Sequence, residues 1–172
     1  MCENTWLLTL NTLADKIKMG IEKYTSEPRK IDFPQELVFS KLSNLNNLEQ
    51  FVSADKIEEL NKKGVDTKGF KVEDFSASED HCSFTISPVG NVGIEIVERE
   101  PFKTIKFQGE KSVPFPVTLW VQLAEIDENN CKIRLTLHAE LNIMIKMMVG
   151  KYLETGIEKM TEMLTTIDYS TE

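Results

Sequence analysis

An α+β fold is predicted: a curved antiparallel sheet of about seven strands wrapped on a long C-terminal helix, with two short helices after the first strand. Three observations predict it. From Phe70 to Leu137 apolar and polar residues alternate, which gives each strand one wet and one dry face. The links between these runs, such as "SASED", "SPVGN", "REPFK" and "DENN", are short and carry turn residues, as an antiparallel meander requires. Beyond the last run, from about Ile143 to Ile167, the apolar spacing changes to that of a helix.

The elements follow in order. "YTSEPRKIDF", Tyr24 to Phe33, reads as extended chain, with Pro28 placing it at a sheet edge or a bend. Pro34 suits a first helical turn, and Leu37, Val38, Leu42, Leu45 and Leu48 follow at helical spacing. Two short helices broken around Ser43 and Asn44 fit this stretch. Ala54 to Gly64 adds one more polar turn or a lid-like excursion, ended by Gly64.

The strands then come as Phe70 and Val72; Cys82, Phe84 and Ile86; Val92, Ile94 and Ile96; Ile105 and Phe107; Val117, Leu119, Val121 and Leu123; and Ile133, Leu135 and Leu137. In the last helix, Ile145, Met148, Val149, Tyr152, Leu153, Ile157, Met160, Met163, Leu164 and Ile167 fill one side, centred near Val149 and Gly156. Glu154, Glu158, Thr161, Glu162 and Thr165 take the other. Such a stripe must be buried, and the concave side of the meander is the large dry surface available.

Composition narrows the function. A chain of 172 residues, 41% hydrophobic, is long enough for one domain with a real core. Twenty basic against 28 acidic residues leave a formal charge of -8, which repels phosphate backbones and anionic headgroups. Nucleic acid is therefore not expected as a partner. "WLLTL", the apolar run near the start, is too short for a span and follows an acidic segment, so no stable membrane insertion is expected and the location reads as cytoplasmic. Cys2, Cys82 and Cys131 are three and widely spaced, which suggests free thiols rather than a disulfide framework or a zinc site.

The order of elements resembles the helix-grip fold of the START, polyketide cyclase and pollen-allergen-like superfamily (SRPBCC). "PQELVFSKLSNLNNLEQF" looks like its helical stretch, and "SPVGNVGIEIVEREPFKTIKF", "VTLWVQLAEI" and "LHAELNIMIKMMVGKYLETGIEKM" resemble a bacterial branch described mostly by fold. The likeness runs from about Tyr24 to Ile167. It implies a domain over residues 23–168 with a tail at 169–172, and it is weak for activity, because one scaffold serves lipid carriers, cyclases, dehydratases and regulators. Asn44 stands where many relatives carry an acidic residue. Residues 1–22 have no counterpart: Leu7, Leu8, Leu10, Leu13, Ala14 and Ile17 suit an amphipathic helix docked on the domain, or the true start is Met19.

No constellation of catalytic residues emerges. His138 falls on the polar register of its strand and His81 lies beside the turn "SED", so both read as solvated. No cysteine has a base beside it, and Glu95, Glu98 and Glu100 belong to a charged outer face and hairpin end. Trp120 shares the register of Thr118 and Gln122, which leaves it covering the outer face or packing at an edge. There is no nucleophile elbow, no phosphate-cradling loop and no metal-ligand spacing, and no cofactor is expected.

What remains is an apolar interior. Phe84, Ile94, Phe107, Leu119 and Leu135 are expected to face inward from the strands, with Met148, Tyr152 and Gly156 opposite them on the helix. Met144 and Met147 fall off the stripe, where a helix-grip cavity opens. The expected function is binding of a small hydrophobic or lipid-like ligand between sheet and helix. Two alternatives stay open: a cyclase- or dehydratase-like enzyme with Tyr152 moving a proton, and a partner-binding protein with a filled core. The sequence gives no oligomeric state.

Overall fold

A computed structural model of the chain describes residues 19–49, 58, 62, 72–86 and 90–170. In chain order its elements are β1 (Gly20–Thr25), β2 (Arg29–Ile31), α1 (Gln35–Leu42), a 3₁₀ helix (Leu45–Leu48), β3 (Val72–Ala77), β4 (His81–Ile86), β5 (Gly90–Glu100), β6 (Thr104–Gly109), β7 (Val117–Asp127), β8 (Asn130–Leu141) and α2 (Ile143–Thr165). All strands join one antiparallel sheet in the order β1, β8, β7, β6, β5, β4, β3, with β2 also on β8. The expected turn at Ala54 to Gly64, the strand start at Phe70 and the N-terminal helix lie outside the described residues, apart from Glu58 and Lys62.

The extended segment expected from Tyr24 begins earlier, at Gly20, and is two strands. Ser26 makes the break. Its N–H donates to the Leu135 carbonyl at 2.9 Å, and its hydroxyl accepts from the Leu135 N–H at 3.0 Å, so β8 stays paired while the chain bends. Pro28, with no N–H to give, sits in the gap.

α1 starts on Pro34, whose carbonyl takes the Val38 N–H at 3.1 Å, and buries Val38, Phe39 and Leu42. The break expected around Ser43 and Asn44 is present: Ser43 caps α1, and the Asn44 side chain accepts from the Asn46 N–H at 3.0 Å to open the 3₁₀ helix. Arg99 ties this corner to the sheet. A bulge between Ile96 and Glu98 sets Arg99 opposite Ile105, and its guanidinium donates to the Ser43 carbonyl and to Asp80.

The pairing register fixes two faces. Cys82, Phe84, Ile94, Ile96, Phe107 and Leu119 share the inner one with Val121, Leu135 and Leu137. Beneath α1 and the second half of α2 it closes over a core in which Ile31, Leu45, Ile105, Ile133 and Leu135 have almost no exposed surface.

Asn142 opens α2 by accepting the Ile145 N–H at 2.9 Å. The helix packs mainly on β8, β1 and β2, at one side of the sheet. Its buried line differs from the expected stripe. Ile157 and Thr161 are buried, and Thr161, placed by sequence on the polar side, satisfies its hydroxyl by donating to the Ile157 carbonyl at 2.8 Å. Met148 and Tyr152, assigned to the gripped stripe, are 72% and 78% exposed. The helix is rotated because it docks on the edge strands, leaving the apolar stripe on its flank.

The C-terminal boundary also moves. After α2 the chain turns back and buries Tyr169 completely, with its hydroxyl donating to the Leu164 carbonyl at 2.8 Å and its ring edge-on to Phe33 at 5.6 Å. Residue 169 belongs to the core, not to a tail. Among the described residues no helix is long and apolar enough to cross a membrane.

Candidate functional site

The residues expected to line a cavity separate into three groups. Phe107 and Leu135 are buried in the core. Phe84, Ile94 and Leu119 project from β4, β5 and β7 onto the same face but are only partly buried, packed at the border of that core. On the helix, Met144, Met148 and Tyr152 face solvent, while Gly156 is half-buried with no atom within 4 Å of where a Cβ would stand. The partly buried group is set back from α2, whose main contacts are with β8, β1 and β2.

The inner face is not uniformly apolar. Glu22 pairs with Ala139 and Tyr24 with Leu137, which turns both inward from β1. Lys146 on the second turn of α2 reaches Glu22 at 2.8 Å, and this bond holds its ammonium above the usual lysine range. Burial first, and the Glu22 charge second, push the Tyr24 phenol up. It therefore stays a neutral donor. Gly150 admits its hydroxyl, since a Cβ there would lie 3.2 Å from the Tyr24 oxygen.

Sequence reading missed this polar end because strand alternation was followed back only to Tyr24. Carried back to Gly20, the period puts Gly20, Glu22 and Tyr24 on one face, and Ile21 and Lys23 on the other. The signal is inverted at Ile21, which is 70% exposed, so hydrophobicity alone points the wrong way.

The other candidate groups lie elsewhere. His81 is paired with Glu110 at 2.8 Å, and Glu98 and Glu100 face Lys106 and Lys103. Trp120 covers the outer face, edge-on to His138 at 4.6 Å and beneath the Lys106 ammonium. A small depression of about 160 Å³ on that outer side is lined by Gln108, Thr118, His138 and Glu140. Cys82 and Cys131 are free and buried, and burial pushes each thiol up to about 11. Among the described residues no group of three or more His, Cys, Asp or Glu is placed to hold a metal ion.

No protein-family model matches the chain, and no curated protein sequence matches it. Solved structures do. Norcoclaurine synthase from Thalictrum flavum is 9% identical, with 89% of each chain covered and a TM-score of 0.62. The same synthase has been solved in complex with dopamine and hydroxybenzaldehyde. A protein from Thermus thermophilus is 17% identical over 84% of this chain and 94% of its own, with a TM-score of 0.56. A conserved protein from Geobacillus kaustophilus is 14% identical over 84% and 93%, with a TM-score of 0.57. These likenesses show the fold, a helix-grip fold as the sequence predicts.

Proposed function

We propose that the chain binds a small hydrophobic or lipid-like molecule between the concave face of the sheet and α2, as a member of the SRPBCC superfamily working in the cytoplasm. One observation carries the reading: Phe84, Ile94 and Leu119 form an apolar inward surface that is only partly buried, on strands other than those α2 chiefly packs against. Gly156, with open space at its Cβ position, adds room on the helix side. The complex of norcoclaurine synthase with dopamine and hydroxybenzaldehyde supports the reading, because it puts small aromatic molecules on this fold.

Binding would be driven by removing ligand apolar surface from water, at about 25 cal/mol per Å². Tyr24, Glu22 and Lys146 would meet a polar end of the ligand, with the neutral phenol donating a hydrogen bond. The early helices and the start of α2 would gate entry. Native mass spectrometry of the purified full-length chain tests the proposal. A co-bound small-molecule mass, or uptake of an added apolar dye, is expected; bare chain and no uptake would overturn it.

A second reading rests on the same polar end. Tyr24 faces inward from β1 whereas Tyr152 is 78% exposed, so an enzyme of the cyclase or dehydratase kind would set the Tyr24 hydroxyl, rather than that of Tyr152, against its substrate within this pocket. Tyr24→Phe would then abolish turnover while leaving ligand uptake in place; loss of uptake instead would make Tyr24 a binding residue only.

A further inference from the structure

The loop that joins β6 to β7, residues 110–116, is pinned to β5. The Glu110 N–H donates to the Gly93 carbonyl at 2.8 Å, and the Gly93 N–H donates to the Ser112 hydroxyl at 3.0 Å. The Glu110 carboxylate lies over Gly93, where a Cβ would collide with it, and reaches the His81 imidazole at 2.8 Å. Gly109 leaves room for two valines on the other face of the sheet: a Cβ there would collide with Val117 and lie 3.2 Å from Val113. Gly109 pairs with Ile94 on the inner face. Val113 is therefore folded inward beside Ile94, one of the partly buried residues of the proposed ligand surface.

The loop ends beside α2. The Pro116 carbonyl accepts the Glu140 N–H at 2.9 Å, Val117 pairs with Ala139, and Asn142 caps the helix. Leu119 stands two residues beyond Val117 and shares its face. The loop thus borders the surface made by Phe84, Ile94 and Leu119, from Ile94 to the foot of α2. Pro114 and Pro116 restrict its backbone, and a turn from the Glu110 carbonyl to the Val113 N–H, at 3.0 Å, fixes where Val113 stands.

We propose that this loop is the sheet-side rim of the ligand site, that Val113 selects ligands there by width, and that Glu110 is a positioning residue that holds Val113 in place. The proposal rests on the reading of an apolar ligand site between sheet and α2, and adds to it a selecting residue that lies on a loop rather than a strand. A β-branched side chain is stiff, and on a pinned loop it gives the rim a fixed width. Such a rim rejects a wide group by steric clash and passes a slim one. The ligand it favours carries an unbranched alkyl chain rather than a globular hydrocarbon.

Displacement of N-phenyl-naphthylamine, a neutral fluorescent probe, tests the rim in the full-length chain. The competitors are dodecanol, which is slim, and adamantanol, which is globular, each compared with its own affinity for the native chain. Val113→Ala is expected to tighten adamantanol roughly tenfold and to change dodecanol less than about twofold. Val113→Trp should weaken adamantanol by a similar factor. Glu110→Ala should repeat the gain seen in Val113→Ala, whereas Glu110→Gln, which keeps an oxygen acceptor for His81, should discriminate as the native chain does. Far-ultraviolet circular dichroism checks that each variant is folded. Equal changes for both competitors in the Val113 variants, or none, overturn the rim while the native chain still binds the probe. Native discrimination in Glu110→Ala overturns the positioning role. A native chain that binds no probe removes the ligand site itself, and the rim with it.

Discussion

The hydroxyl of Tyr24, on the inner face of β1, occupies the space that a side chain at position 150 of α2 would take: a Cβ on Gly150 would lie 3.2 Å from the phenol oxygen. Strand and helix approach this closely because Gly150 has no side chain, and the approach sets the polar end of the proposed pocket. Glycine inside a helix costs about 1 kcal/mol relative to alanine. Gly150→Ala alone is expected to recover less than half of that in urea unfolding, because Tyr24 must shift. In a Tyr24→Phe background the same substitution should recover about 1 kcal/mol. Equal effects in both backgrounds would dissolve the coupling.

Tyr169 completes the core from beyond the last helix. Tyr169→Ala is expected to cost roughly 3–5 kcal/mol of unfolding free energy, in the range of buried aromatic truncations. Tyr169→Phe should cost about 1 kcal/mol, the value of its bond to the Leu164 carbonyl. Thermal unfolding of both variants checks this, and no shift in either would restore residue 169 to a tail.

Ser26 is a polar residue with 3% exposure, and its hydroxyl pairs the Leu135 N–H in the interior of β8. Ser26→Ala leaves that N–H without its partner, so a loss of about 1–3 kcal/mol is expected in denaturant unfolding. Ser26→Thr retains the hydroxyl and should lose less.

Alkaline pH should destabilise the fold. Burial, together with the Glu110 charge at Cys82, raises the Cys82 and Cys131 thiols to about 11, and burial raises the Tyr169 phenol as well. A raised folded-state value means that the unfolded chain releases its proton first. The stability from each thiol is therefore complete below the ordinary thiol range and is lost between about pH 9 and 11. Each group steepens the fall by at most about 1.4 kcal/mol per pH unit. Urea midpoints from pH 8 to 10.5 should drop, and the drop should be shallower in Cys131→Ala. A flat profile would mean that the thiols ionise freely in the native state.

How far the sequence carried the structure can be judged residue by residue. The period-2 runs located β4 to β8 because each strand has one wet and one dry face, and Ser43 and Asn44 marked the helix break through their capping chemistry. The side of α2 that is buried was not legible, since the apolar stripe through Met148 and Tyr152 is wider than the line the edge strands cover. Thr161 escaped because a hydroxyl satisfied by its own helix can be buried at little cost, which composition does not reveal. Tyr24 and Glu22 escaped because their strand carries its large aliphatic residue, Ile21, on the outside. The apolar candidates Phe84, Ile94 and Leu119 were legible by alternation, whereas the distance of α2 from their strands depends on docking geometry and has no local signal.

The most direct test of the central claim is a fluorescence titration of the full-length chain with an apolar naphthalene-sulfonate probe, in the native sequence and in Leu119→Trp, which fills the inward surface without adding charge. Saturable binding that weakens at least tenfold in Leu119→Trp, at unchanged far-ultraviolet circular dichroism, is the expected result. No saturable binding, or equal affinity in both proteins, would contradict a ligand site between sheet and helix.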